Sequence, residues 1–305
     1  MKTSLVIRSR DEAPRLQLTL ASLAGQAGLD ELIVVDDGSR DDTAAVLAAA
    51  PALPLRVVAH AVPQGRAAAS NAGARAATGD LLILLDGDTL AGPGLVAAHV
   101  AAHSGAPDAI GRGETWHLRC TRWLSDPEAG TFLPGEAARA AALPPDEREA
   151  MRVTRAQIAE DFAAIARRAA AGIYPGAAPR RLHEAEMRAL RERPGSATLW
   201  AAASGSNLSV RRDRFLAAGG FDPAIDINEH RELAYRLCRA GARMIPVEGA
   251  RSYHLTHRAG WRDPLEDDRW ERRFRAAHPE APLTALKAFW SSLASPVPAA
   301  DFFAA

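Results

Sequence analysis

The sequence predicts an α/β fold in which helices cover both faces of a mostly parallel sheet. Short, continuous apolar runs recur before residue 90, and stretches with helical spacing of leucine or alanine separate them. Strands buried on both faces have this continuous apolar character, whereas strands with one solvated face alternate. The alternation of strand and helix along the chain indicates parallel strand pairing.

Each predicted element has recognisable boundaries. A first helix begins at Pro14 and ends at Gly25 or Gly28, a second begins near Asp42, and an alanine-rich helix spans residues 65–77. The apolar runs predict strands over residues 5–7, 32–35, 55–58 and 81–85.

Acidic residues directly follow two of these predicted strands. Asp36 and Asp37 come after the second strand, and Asp86 and Asp88 come after the fourth. The carboxyl ends of parallel strands meet at one edge of a sheet, where ligands bind in folds of this class. We therefore expect both acidic groups at one edge, in one crevice.

The rest of the chain has a different pattern. From about Thr121 to Gly195 we expect helices without strands, and Ile158, Phe162, Ile165 and Ala169 predict one apolar helix face. A strand is predicted around residues 200–210, followed by a helix that Asn228 caps and Gly241 stops, and by a strand over residues 242–247. These patterns divide the chain into an α/β half (1–119), a helical insertion (120–198) and a second half with C-terminal helices (199–305).

Composition excludes several functional classes. Lys plus Arg and Asp plus Glu both number 37, so no basic excess indicates a nucleic-acid partner. Cys120 and Cys238 have no metal-ligand spacing and are too few for a disulfide framework. The N-terminal apolar run is too short for a signal peptide, and no segment has the roughly 18 apolar residues of a membrane span. We expect a cytoplasmic protein without a transmembrane segment, for which peripheral membrane contact stays open.

The Asp86-Gly87-Asp88 turn is the strongest chemical motif. Two aspartates separated by a small residue suit a divalent cation that bridges phosphate groups. Taken alone, the turn is also compatible with a solvated acidic loop. The run Asp36-Asp37-Gly38-Ser39 has two interpretations as well: a group that binds the base or ribose of a nucleotide, or a turn before a helix.

Together these motifs resemble the family 2 glycosyltransferases. The resemblance covers, in order, the first strand and leucine-rich helix, Val34–Ser39, Gln64–Gly73, Thr78-Gly79-Asp80 and Asp86-Gly87-Asp88, and it resumes at Ala203–Arg212 and Gly219–Asp222. It implies a GT-A fold, a Rossmann-like mixed sheet, with the nucleotide-sugar donor on residues 1–119 and the acceptor on residues 199–305. It also implies metal-assisted sugar transfer from a nucleotide-diphosphate donor, with UDP favoured. The acceptor, whether glycan, lipid, peptide or small metabolite, is not identified.

The resemblance also assigns roles to individual residues. Asp37 pairs with the base of the donor nucleotide, and the backbone around Arg8 and Ser9 lines the same pocket. Arg66 either lies near the nucleotide, where its guanidinium stacks on the base or touches phosphate, or is a solvated residue at the start of a helix. Asp86 meets the ribose or the cation. Asp88 binds the cation.

A histidine after the last predicted strand is the remaining expected ligand of the cation. His254 is the first choice and His257 the reserve, because GT-A families place a late histidine ligand in this region. If this segment is extended, residues three apart face opposite sides, so both would rarely bind the cation together. An imidazole beside carboxylates favours Mn²⁺ over Mg²⁺.

The catalytic base is where this sequence departs from the family pattern. The acidic pair that begins the acceptor-side helix, commonly Glu-Asp, is Glu229-His230 here. Glu229, which the helix dipole keeps ionised, and a neutral His230 both suit the base of an inverting transfer. If neither faces the acceptor, the alternatives are a retaining transferase or a nucleotide-sugar-binding protein with impaired catalysis.

Two other nucleotide-dependent classes fit less well. Sugar nucleotidylyltransferases need a glycine-rich phosphate loop after the first strand, and residues 8–12 contain no glycine. Dehydrogenases that bind dinucleotides need a Gly-x-Gly-x-x-Gly motif after an early strand, which is also missing.

Overall fold

The computed structural model describes residues 1–50, 52–171, 182–257, 263–293 and 301–304. Strands in these ranges are β1 (Thr3–Ser9), β2 (Glu31–Asp36), β3 (Leu55–Ala59), β4 (Leu81–Asp86), β5 (Thr89–Ala91), β6 (Ile110–His117), β7 (Leu124–Asp126), β8 (Thr131–Phe132), β9 (Leu208–Arg211) and β10 (Met244–His254). Helices are α1 (Ala13–Leu23), α2 (Thr43–Ala48), α3 (Arg66–Ala76), α4 (Leu95–Gly105), α5 (Ala137–Ala142), α6 (Pro145–Ala150), α7 (Arg155–Glu160), α8 (Phe162–Arg168), α9 (Leu182–Glu192), α10 (Arg212–Ala217), α11 (Glu229–Arg239), α12 (Arg269–Ala277) and α13 (Leu283–Ser292). None of these described helices combines the length and the apolar content that crossing a bilayer requires.

The first four strands and three helices confirm the elements predicted from the apolar runs. α1 has Pro14 in its first turn, where the missing N–H leaves no helical hydrogen bond unmade. The chain leaves α1 at Ala24, which is extended with ψ 127°, and Gly25 follows it in the left-handed conformation with φ +77°.

Eight strands form one mixed sheet in the order β3-β2-β1-β4-β9-β6-β10-β5. β1 pairs in parallel with β2 and β4, and β2 pairs in parallel with β3. β9 runs antiparallel between β4 and β6, while β10 is parallel to β6 and antiparallel to β5. The register sets Ser9 beside Asp36 and Arg8 beside Asp86, so the acidic residues after β2 and β4 lie at one edge, as predicted.

Several elements in the second half of the sheet differ from the prediction. β5, α4 and β6 have no counterpart among the predicted elements. The strand expected around residues 200–210 is only β9, because Leu199–Ala202 forms a short 3₁₀ helix instead. The strand expected over residues 242–247 is longer and runs on to His254.

The segment of residues 120–198 is not purely helical, which corrects the expectation that strands disappear there. β7 and β8 form a small antiparallel hairpin ahead of α5. The apolar stripe predicted on one helix is divided between α7 and α8. The helix breaks at Asp161, whose side chain caps α8. Ile158 and Ile165 nevertheless pack in one cluster with Leu18 of α1 and Tyr253 of β10.

Apolar side chains fill both faces of the sheet. Val6 of β1 points to a cluster shared with α3 and α9 to α13, whereas Leu5 and Ile7 point to the opposite face, under α1 and α4. Met187 and Leu190 of α9 belong to the first of these clusters. Helix α9 therefore completes the core of the sheet.

Candidate active site

Asp88 and two histidines come together where β4 and β10 end. The backbone N–H of Leu255 donates to the carbonyl oxygen of Asp88 at 2.8 Å and ties the two chain segments together. Nε2 of His254 lies 3.2 Å from Oδ2 of Asp88, and Nε2 of His257 lies 2.7 Å from the same oxygen. One atom of each of the three residues lies within 4.8 Å of the others. A nitrogen and oxygen set of this spacing fits a single divalent cation such as Mn²⁺.

His254 and His257 do not face opposite sides, because the extended segment on which that expectation depends ends at His254, the last residue of β10. Beyond that residue the chain no longer alternates, so His257 turns back toward the same carboxylate oxygen as His254.

The charges in this cluster reinforce one another. Burial alone would raise the pKa of Asp88, but the charge and hydrogen bond of His254, together with those of His257, outweigh burial and hold it well below its usual range. For His254, burial has the opposite effect and lowers the pKa. The charge of Asp88 more than compensates, so the pKa of His254 lies above its ordinary value. The cluster therefore contains a firmly ionised carboxylate.

A second charged group links the ends of β1 and β4 to the start of α11. Nε of Arg8 donates to Oδ1 of Asp86 at 2.9 Å, and Nη1 of Arg8 donates to Oε1 of Glu229 at 2.6 Å. The side chains of Arg8 and Glu229 are only 14% and 3% exposed, so this ion pair is shielded from water. Asp86 thus faces Arg8 and is not part of the group formed by Asp88 and the histidines. Its role toward the ribose or the cation stays a prediction.

Helix α11 begins at the predicted position, but its cap differs from the expected one. Asn228 takes a left-handed conformation with φ +64°, and its side chain makes no capping bond to the helix. Oδ1 of Asn228 instead accepts a hydrogen bond from Nη1 of Arg231 at 2.7 Å. Asn228 therefore occupies the predicted N-cap position, but its side chain does not cap the helix.

The two predicted bases are both engaged at the start of α11. Burial would raise the pKa of Glu229, but the charge of Arg8 and the contact with His230 outweigh it and hold this pKa well below its usual range. Nε2 of His230 lies 2.9 Å from Nη1 of Arg231. A guanidinium only donates, so this nitrogen accepts and the ring proton is on Nδ1, 3.7 Å from Oε2 of Glu229. His230 has no lone pair free for a substrate in this arrangement.

Asp37 lies at the end of β2 in a ring of donors. Its Oδ1 lies 2.7 Å from Nδ1 of His60 and accepts the backbone N–H of Gln64 at 2.8 Å, while its Oδ2 accepts the N–H of Gly65 at 2.8 Å. Burial opposes ionisation, but the contact with His60 and these backbone N–H groups lower the pKa of Asp37. Asp37 is thus an ionised acceptor fixed between β2 and the start of α3.

Ser9 and Arg66, the other residues assigned to the donor pocket, differ in setting. Ser9 is buried, and its hydroxyl donates to Oε1 of Glu12 at 2.8 Å. A Cβ on Gly87 would lie 2.8 Å from Oγ of Ser9 and would also collide with the Glu12 carboxylate, so packing requires the small residue between the two aspartates. Arg66 begins α3 with its side chain exposed.

Three side chains near these residues were not among those predicted from the sequence. Burial and the charge of Asp88 raise the pKa of Glu12 well above its usual range. His117, opposite His254 in the register of β6 and β10, is buried, and burial lowers its pKa to about 3. His60 follows β3 at the same edge as Asp37, so the rule that located the acidic groups would also have found it. Glu12 precedes a proline-initiated helix and His117 ends an unpredicted strand, so neither had a comparable signal.

The first part of the chain is similar to a known protein family. Residues 4–117 match the model of glycosyl transferase family 2. The uncharacterized glycosyltransferase YfnE of Bacillus subtilis is 36% identical over 119 residues, which are 38% of this chain and 30% of YfnE. The uncharacterized glycosyltransferase YwdF of the same organism is 36% identical over 95 residues, 31% of this chain and 35% of YwdF. The chain thus spans about a third of the length of these relatives.

Solved structures share the whole fold at low sequence identity. S. aureus TarS 1–349 in complex with UDP has a TM-score of 0.59 at 14% identity, covering 96% of this chain and 70% of that one. GalNAc-T7 with UDP, GalNAc and Mn²⁺ has a TM-score of 0.58 at 18% identity, covering 98% and 52%. The mannosyltransferase PcManGT of Pyrobaculum calidifontis, in complex with GDP-Man and Mn²⁺, has a TM-score of 0.55 at 16% identity, covering 99% and 67%. The chain has the GT-A fold, as the sequence predicts.

Proposed function

We propose that this protein is a glycosyltransferase that moves a sugar from a nucleoside-diphosphate donor to an acceptor with the help of a divalent cation. The observation that carries the proposal is the group of Asp88, His254 and His257 at the edge of the sheet where Asp37 also lies. Cation ligands and a nucleotide-binding carboxylate at one edge are what a nucleoside-diphosphate donor requires. The family of residues 4–117 supports the same activity.

We propose Mn²⁺ or Mg²⁺ as the cation, with Mn²⁺ favoured by the two imidazoles. Three residues would hold the cation: Asp88, His254 and His257. Asp86 would bind either the ribose or the cation. When bound, the cation neutralises the charge that grows on the departing diphosphate. Mn²⁺ is also present in the GalNAc-T7 and PcManGT structures, which supports this choice.

The donor pocket follows from Asp37 and its neighbours. Asp37 would accept a hydrogen bond from the base, with Ser9 and Arg66 flanking the nucleotide. UDP is the proposed nucleotide, because TarS and GalNAc-T7 both appear in complex with UDP, whereas PcManGT holds GDP-Man.

The proposed base is Glu229, and the proposed course is inverting. Glu229 is ionised and its Oε2 is not held by Arg8, whereas His230 has no free lone pair. To accept a proton, Glu229 needs a pKa closer to neutrality, which requires Arg8 to leave it. The diphosphate of the donor is a competing anion for Arg8. We therefore propose that donor binding frees Glu229.

A screen of nucleotide sugars tests the activity. The release of nucleoside diphosphate from each donor is measured with Mn²⁺, first without an acceptor, for the wild type and for Asp88→Asn. We expect slow, Mn²⁺-dependent hydrolysis of a UDP-sugar that Asp88→Asn abolishes. Donor binding with no hydrolysis or transfer at all would instead favour the catalytically impaired binding protein.

The anomeric configuration of the product, read by NMR, tests the course of the reaction. We expect inversion, a large loss of turnover in Glu229→Gln with donor binding retained, and a small effect of His230→Ala. Retention of configuration, or full activity of Glu229→Gln, would contradict the role of Glu229 and favour the retaining alternative.

A further inference from the structure

His117 lies directly beside the proposed cation ligands without belonging to them. It is the last residue of β6 and pairs in register with His254, the last residue of β10. Neighbouring residues in register on parallel strands share a face, and the two ring centroids are 5.3 Å apart. On its other side, the His117 ring lies 5.4 Å from the ring of His183 on α9. His117 is thus enclosed between His254, a proposed ligand of the cation, and helix α9.

The polar atoms of this ring have no hydrogen-bond partners among the residues that the structure describes. Within the described part of the chain, neither Nδ1 nor Nε2 of His117 has a hydrogen-bond partner, although the residue is only 8% exposed. Nδ1 of His254 is also buried without a partner among the described residues. A buried polar group that stays unpaired destabilises the folded protein. A hydrogen bond between these two adjacent rings would give an unpaired nitrogen of each ring a partner.

A histidine that binds a cation needs such a partner. When Nε2 of His254 donates its lone pair to a cation, the ring proton is on Nδ1 and requires an acceptor. Without a cation, Nε2 faces Asp88 as a donor, and Nδ1 requires a donor when the ring is neutral and an acceptor when the ring is protonated. A neutral imidazole offers one donor and one acceptor, so the same ring satisfies both requirements. His117 is the side chain with free nitrogens that the register brings beside His254.

We propose that His117 is a positioning residue that forms a hydrogen bond with Nδ1 of His254, directly or through one buried water molecule, and so orients His254 toward a divalent cation. This inference rests on the proposed cation site. In this arrangement, His117 contributes to cation affinity without contacting the cation. Partners of this kind typically account for 10- to 100-fold in metal affinity.

Binding of Mn²⁺ alone, followed by electron paramagnetic resonance without nucleotide, tests the inference. His117→Phe keeps a ring of similar size but removes both nitrogens, whereas His117→Gln keeps one donor and one acceptor. His103→Phe is the matched control, because His103 is also a buried histidine, on α4, where its Nε2 lies 2.9 Å from Oγ of Ser209. Thermal unfolding of each variant reports whether it is folded.

We expect Mn²⁺ affinity to fall about 10- to 100-fold in His117→Phe, to recover most of that loss in His117→Gln, and to be unchanged in His103→Phe. Wild-type affinity in a folded His117→Phe would overturn the inference while leaving the cation site intact. If His117→Phe does not fold, a His117→Gln affinity no better than that of His254→Ala overturns it. A wild-type protein that binds no Mn²⁺ contradicts the proposed cation site itself, and the inference falls with it.

Discussion

Replacing Glu186 tests how the structure holds α9 and α11 against the sheet. Oε2 of Glu186 accepts a hydrogen bond from Nη2 of Arg112 in β6 at 2.6 Å, and Oε1 accepts one from Nη2 of Arg231 in α11 at 2.7 Å. The side chains of Glu186 and Arg112 are 0% exposed and that of Arg231 is 9% exposed. Glu186→Gln keeps the shape of the side chain but leaves two buried guanidinium groups without a counter-charge.

The expected loss of stability follows from this burial. Removing one partner of a buried ion pair costs about 3–5 kcal/mol, because the remaining charge is left uncompensated in a medium that solvates it poorly. Unfolding entropy is about 2.1 cal/mol/K per residue, so a chain of 305 residues should lose about 5–8 °C in Tm. Arg231 lies next to His230, so the loss should also loosen the start of α11.

Differential scanning calorimetry measures the effect, with Glu149→Gln as the matched control. Glu149 also pairs with an arginine, Arg152, at 2.7 Å, but its side chain is 61% exposed, so its loss should cost less than about 1 kcal/mol. If Glu186→Gln melts within a degree of Glu149→Gln, the buried ion cluster does not stabilise the protein and the reasoning is refuted.

Two further predictions concern the packing of the site and the response to pH. Gly87→Ala should weaken Mn²⁺ binding and cost roughly 1–3 kcal/mol, because the new Cβ would collide with Ser9 and Glu12; wild-type affinity and Tm would contradict the packing argument. Burial, the largest cause, lowers the pKa of His99 to about 4, against about 6.5 in an unfolded chain. Between these values only the unfolded chain binds the proton at this residue, so the contribution of His99 to stability should be complete above about pH 6.5 and fall by about 3 kcal/mol as the pH drops to about 4. Urea unfolding of the wild type and His99→Gln measures this, and an equal pH dependence in both proteins would rule the explanation out.

The first half of the fold was predictable because its signals are local. Apolar runs such as Leu32–Val35 bury both faces of a strand, and Pro14 and Gly25 mark the bounds of α1 through their own backbone preferences. The acidic groups at one edge followed from parallel pairing alone. β6 was missed because Gly111 and Gly113 interrupt its apolar character, and its place in the sheet depends on distant partners.

The arrangement of the site was less accessible, because it depends on contacts between residues far apart in the chain. Arg8 and Glu229 are 221 positions apart, and no pattern near either residue indicates that they pair. The resemblance identified Asp88 and His254 as candidates for the cation. The turn that brings His257 to the same oxygen follows from where β10 ends, which apolar periodicity did not determine.

Calorimetric titration of UDP, with and without Mn²⁺, tests most directly the claim that Asp88 and the two histidines hold a cation on which donor binding depends. The wild type and Asp88→Ala are compared with Asp108→Ala, an aspartate with a 67% exposed side chain that pairs with Arg214. We predict that Mn²⁺ strengthens UDP binding in the wild type and in Asp108→Ala but not in Asp88→Ala. UDP binding that is independent of Mn²⁺ and insensitive to Asp88→Ala would contradict the account.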